Sequence, residues 1–174
     1  MPPWVVLWLE KGNSEVETQD VFKDRFVFVA RNEGNTFEAL SRWTDSFSQE
    51  LDFPRLAAER IGERFLHGVA FPDNEYGSFF EAIIRAASDA VWTGVQREDD
   101  FWLHRKYILT EEGSPGRNRQ GTESWEFLIL VSIEKTIFAS QLDTLFQNLK
   151  PSPVPTKEQI NTANRVKTRF YEGF

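Results

Sequence analysis

Residues 124–133 read SWEFLILVSI, and the pattern alternates. Side chains of a strand point to opposite faces in turn, so Trp125, Phe127, Ile129, Val131 and Ile133 share one side. Leu128 and Leu130 fall on the other, beside Glu126 and Ser132. A sheet with one face in water carries polar residues on that face. Here the second face is half apolar, which predicts a central strand covered from both sides. A matching alternation runs through DDFWLHRKYIL, with Phe101, Leu103, Tyr107 and Leu109 against Trp102, His104, Lys106 and Ile108. Arg105 is the charged exception on the first of those sides. An earlier segment, DRFVFVA at 24–30, sets Phe26 and Phe28 against Val27 and Val29, and RNEGN after it predicts a turn.

Between the strands the period lengthens. Phe37, Leu40, Trp43, Phe47 and Leu51 recur at helical spacing behind Asn35 and Glu38, a pairing that resembles a capping box. Asp52 and Pro54 predict a break and a fresh helix carrying Leu56, Ala57, Ile61 and Phe65. Ser78 and Glu81 predict a cap for a helix with Phe80, Ile83, Ile84, Ala87 and Val91 on its buried stripe. Residues 136–149 give another helix, with Phe138, Leu142, Leu145 and Leu149 in line. The N-terminal segment 4–9 is apolar on both sides. Pro2 and Pro3 exclude a regular ladder, so it reads as extended. Residues 110–123, with their glycines and Pro115, read as a hairpin loop.

Strands arriving as an antiparallel hairpin, with helices grouped elsewhere, predict an α+β fold: a small antiparallel sheet with helices packed on one face. Residues 1–150 read as a single domain. Residues 151–174 read as a proline-rich linker and a tail helix through Ile160, Ala163, Val166 and Phe170.

Composition narrows the chemistry. The chain of 174 residues is long enough for one real core, and its 16 Phe and 6 Trp supply large side chains to fill it. The formal net charge of −7 repels phosphate and argues against nucleic acid as a general partner. With no cysteine there is no disulfide, no thiolate nucleophile and no cysteine-ligated metal. His67 and His104 are the two histidines, too few for a histidine-rich metal site within one chain. No apolar run approaches the roughly 20 residues that span a bilayer. The opening MPPWVVLWLEKG lacks the basic region of a secretory signal.

Three stretches, PPWV, FVFVARNEGNTFEALSRWTDSFSQEL and WEFLILVSIEKTIFASQL, occur in an order that resembles the bacterial twenty-kilodalton envelope lipoprotein family, relatives of which include flagellar outer-membrane-associated lipoproteins. The resemblance covers residues 2–149. It implies a non-enzymatic assembly or scaffold component on the periplasmic side of a membrane. It further implies a membrane attachment only through a lipid anchor on a cysteine that this chain does not carry. The alternative location is the cytoplasm.

Candidate sites are few. No serine-type nucleophile motif accompanies His104, and His67 sits at a helix end where a cation suits the dipole, so no catalytic residue is expected. Glu98, Asp99 and Asp100 in REDD lack the alternation and glycine of a calcium loop and read as a solvated turn, so neither metal nor cofactor is expected. GSPGRNRQG offers Arg117 and Arg119 to a polar partner or, in the alternative reading of the chain as a small-ligand module, to an anionic ligand. Trp43, Trp92 and Trp125 lie on apolar stripes and read as core. Trp4, Trp8 and Trp102, with Leu128 and Leu130 on the second sheet face, are the expected contacts with a protein partner or another copy. Burial of each such side chain stabilises by about 1.5–3 kcal/mol, so something must cover them: the N-terminal segment, the tail helix or a neighbour.

Overall fold

A computed structural model describes residues 1–68, 74–107 and 122–148. The fold is α+β. Three antiparallel strands, β1 (Arg25–Gly34), β2 (Gln96–Tyr107) and β3 (Thr122–Glu134), lie in the order β1-β3-β2. β3 is central, as its two apolar faces require. β1 pairs with it from Arg25↔Glu134 to Gly34↔Trp125, so residues 31–34 extend the strand instead of turning. β3 is long enough to offer them a ladder.

The N-terminus departs from expectation. Residues 4–9 belong to a helix, α1 (Pro3–Lys11), with proline in its first turn. The prolines do exclude a ladder, but a proline at the first helical position loses only an N–H that has no intrahelical acceptor. Gly12, at φ 78, ends the helix and donates its N–H to the Trp8 carbonyl at 2.8 Å. A short α2 (Asn13–Val16) and a turn through Phe22 lead into β1.

α3 (Phe37–Ser46) starts at Thr36 with no side-chain cap, so the expected Asn35 box is not formed. The next break falls at residues 47–48, ahead of Asp52 and Pro54. α4 (Gln49–Gly68) carries Pro54 within it. Asp52 still serves the helix start: its carboxylate accepts the Ser48 N–H at 2.8 Å, and its own N–H returns to the Ser48 carbonyl at 2.8 Å. α5 (Asn74–Asp89) begins before Ser78, which therefore is not its cap. α6 (Lys135–Asn148) follows β3 directly. The hairpin loop lies outside the described residues as far as residue 121, while Thr122 and Glu123, expected in it, already belong to β3; the proline-rich linker, the tail helix and Leu149 also lie outside the described residues.

Two apolar layers sandwich the sheet. On one face Phe26, Phe28, Ala30, Ile129, Val131 and Ile133 meet Phe53, Ala57 and Ile61 of α4, Ile83 and Ala87 of α5, and Phe138 and Leu142 of α6. Trp92 is buried there, stacked on Phe138 at 4.9 Å and 14°. On the other face Val27, Leu128 and Leu130 are covered by Trp4, Val5, Val16 and Phe22. The N-terminal segment, folded as α1 and α2, is therefore what seals the second face of SWEFLILVSI. Two residues expected on buried helical stripes, Leu51 and Val91, are instead 82% exposed. The break at residues 47–48 takes Leu51 off the stripe of α3, and α5 ends before Val91.

The outer edge of β1 is closed at Val27 by a buried ion pair. Glu17 accepts the Val27 N–H at 2.7 Å, and Arg60 donates to the Val27 carbonyl at 2.6 Å and to Glu17 at 2.6 Å. The Arg60 guanidinium lies 5.1 Å and 5.0 Å from the ring centres of Phe26 and Phe28, close enough for cation–π attraction. An edge strand leaves alternate peptide groups without a ladder; at Val27 this pair takes the place of one.

Candidate functional site

The far end of β2 and β3 carries the exposed chemistry of the described chain. The register pairs Trp102 with Phe127 and His104 with Trp125, which puts all four on the face of the helical layer. Trp102 is therefore not beside Leu128, which pairs with Phe101. Phe37, at the start of α3, reaches into this group. Its ring lies edge-on to Trp102 at 5.5 Å, to Trp125 at 5.0 Å and to Phe127 at 5.3 Å. His104 stacks on Trp125 at 4.1 Å and 10°. Edge-to-face and offset stacking are the favoured aromatic geometries, so the cluster holds its rings in fixed positions. Trp102 stands at its outer limit, 47% exposed.

Charge flanks the rings. Glu123 meets Lys106 at 2.9 Å and His104 Nε2 at 3.3 Å. The hydrogen bond from Lys106, and then its charge, hold the Glu123 carboxyl below the usual glutamate range. On the reverse face Glu126 is fully buried between Arg31 and Arg105, the latter at 2.5 Å. A buried carboxylate needs such neighbours, and two arginines from the flanking strands tie both ladders at this level.

The acidic run is strand, not a turn. Glu98 occupies a bulge between Arg97 and Asp99. Its carboxylate accepts from the Ser132 hydroxyl, which in turn accepts from Arg25 Nε at 2.6 Å. Asp99 accepts the Trp4 indole N–H at 2.8 Å, and Asp100 pairs with Arg97 at 2.8 Å. The three carboxylates are thus engaged separately. Among the described residues no cluster of three or more His, Cys, Asp or Glu is arranged to hold a metal ion. No described helix is long and apolar enough to cross a membrane.

Of the expected partner contacts, Leu128, Leu130 and Trp4 are buried within the chain itself, because α1 and α2 occupy the face they were expected to offer. Trp8 packs at the margin of the same cluster, half-buried. Arg117 and Arg119 lie outside the described residues. Among the described members of the set, Trp102 alone is exposed. Trp43 and Trp125, expected as core, are half-buried. Glu17 and Arg60 escape a reading by periodicity, since neither lies on an apolar stripe. Glu126 and Arg105 do leave a signal: each is a charge on the otherwise apolar side of its strand, and the two are opposite in sign.

No family model, no curated protein and no solved structure matches this chain. The site is therefore read from its own chemistry.

Proposed function

We propose that this protein acts by associating with another protein surface, without catalysis, and that the Trp102 end of the sheet is where it does so. The observation that supports this is the placement of Trp102, half exposed at the head of an immobilised ring cluster and set among charges of both signs. Tryptophan is enriched at the energetic centres of interfaces, and a ring already held in position loses little freedom on binding. In this reading the bacterial cell envelope is the setting, which rests on the resemblance of residues 2–149.

A photo-crosslinking side chain at position 102, compared with one at Leu51, tests the site in the native host. The expected result is an adduct of defined mass from position 102 and none from position 51. Equal labelling from both positions, or none from 102, overturns the reading. Fractionation of the same cells tests the setting, and recovery solely with cytosolic markers overturns that part.

A further inference from the structure

β2 is an edge strand of 12 residues, and β3 is its ladder neighbour in the sheet. No described residue donates or accepts a backbone hydrogen bond along its outer side. The Asp100 N–H turns to the Asp99 carboxylate at 2.9 Å. This places the peptide groups of Asp100, Trp102, His104 and Lys106, alternate residues of one strand, along the outer edge. The charge along that edge is divided. Asp99 and Asp100 precede Trp102, and His104, Arg105 and Lys106 follow it.

From this division we infer that the partner is a second copy of this chain, whose β2 pairs antiparallel with β2 about a two-fold axis at Trp102. The inference rests on the association reading above and names its partner. Antiparallel pairing centred on Trp102 sets Asp100 opposite the partner's His104, and Asp99 opposite the partner's Arg105. Both contacts occur twice because the axis repeats them. Trp102 meets the partner's Trp102 on the face of the ring cluster, so the two clusters become continuous. The three strands of each copy form one six-stranded sheet.

The parity is consistent, since residues 100, 102 and 104 all present peptide groups outward and pair among themselves. Shifting the axis one residue toward the N-terminus sets Asp100 opposite Trp102 and Asp99 opposite Leu103, so both aspartates lose their basic partners, and it puts residue 101, whose peptide group faces β3, on the axis. Charges on an edge strand ordinarily repel strand addition. Here they repel an indiscriminate partner and match an antiparallel copy, which is how opposite charges select among partners.

The test uses the full chain in sedimentation and light scattering across a concentration series. The expected result is a dimer of twice the 20.2 kDa chain. Asp100→Lys alone and His104→Asp alone should each weaken dimerisation by more than about tenfold, because the first replaces the acceptor facing the partner's His104 by a second donor and the other sets two carboxylates opposite each other, each at two places. Mixing these two variants should restore a dimer, since Lys at 100 then faces Asp at 104, and Asp100 faces His104. Circular dichroism of each variant establishes that it is folded. In this cysteine-free chain, Trp102→Cys should form a disulfide-linked dimer on oxidation, since opposed residues of a hydrogen-bonded antiparallel pair stand about 5.5 Å apart between Cα atoms. Val91→Cys should not. A folded chain that stays monomeric at every concentration, or a dimer indifferent to both charge variants, overturns the pairing. If the monomer still crosslinks from position 102 to a different protein, self-pairing falls and the association reading stands. If it crosslinks to nothing, both fall.

Discussion

The two edges of the sheet are treated in opposite ways. At β1, an ion pair of almost fully buried side chains meets the backbone: Glu17 takes the Val27 N–H and Arg60 the Val27 carbonyl. At β2, side chains decorate the edge without closing it. A bulge at Glu98 and a row of charges distort and mark the strand, while the peptide groups of alternate residues from Asp100 onward face outward. Sealing an edge by desolvating two charges is costly unless both are fully engaged. Among the described residues that cost is met at one edge alone. Among the described residues the contrast is local: β1 is closed at Val27 by side chains bonded to its peptide groups, whereas no such closure meets β2, the edge across which the proposed pairing would extend the sheet.

The largest expected break in this contrast is Arg60→Ala. It leaves Glu17 buried without its cation and the Val27 carbonyl without its donor, and should cost about 3–5 kcal/mol in denaturant unfolding. The double change Glu17→Leu with Arg60→Met should cost clearly less than the two single losses summed, since neither member of the pair is then left buried without the other. Next is Trp4→Phe, which keeps the ring in the second layer but deletes the donor to Asp99. A hydrogen bond to a charged group suggests a loss of about 1.5 kcal/mol, read as a lower melting temperature. Smaller still, Asp100→Lys should leave the stability of the single chain within about 0.5 kcal/mol while changing its association, which separates the open edge from the core. Hydrogen exchange sharpens the same point. The Val27 amide should exchange slowly at any concentration, whereas the Trp102 and His104 amides should slow only as concentration rises.

The smallest effect concerns Glu123. Its carboxyl is depressed by Lys106, so the contact is fully present above the ordinary glutamate range and is lost as pH falls through the lowered folded value. Lys106→Met should raise the Glu123 titration point toward the ordinary range, as followed by carboxyl NMR. An unchanged titration would remove Lys106 as the cause.

Much of the architecture was legible because alternation is a local signal. The faces of β3, its central place, the opposed Phe26/Val27 pattern of β1 and the stripe of α6 can all be read residue by residue. What was not legible depends on pairing between distant segments. The alternation of β2 separates Trp102 from Phe101, but only its register against β3 says which of them joins Phe127, and a slip of one residue inverts the answer. Residues 4–9 gave no clean period, and Pro2–Pro3 suit both an extended segment and a helix start. The surviving exposure of Trp102 was visible as a polar-side tryptophan among charges. The burial of Leu128 and Leu130 was visible as a need for cover, though not which segment would meet it.

The order of pairing also bears on synthesis. β1 leaves the ribosome early, yet its ladder neighbour among the described strands is β3, near the end of the described chain. α1, made first of all, docks on side chains of the same late strand. At about 5–20 residues per second, translation leaves both waiting on the order of ten seconds with Trp4, Val5, Val27 and Phe28 unburied. Since both flanking strands pair with β3, no strand of this sheet can find its ladder until β3 emerges, and apolar side chains exposed in that interval carry the aggregation risk that chaperones relieve.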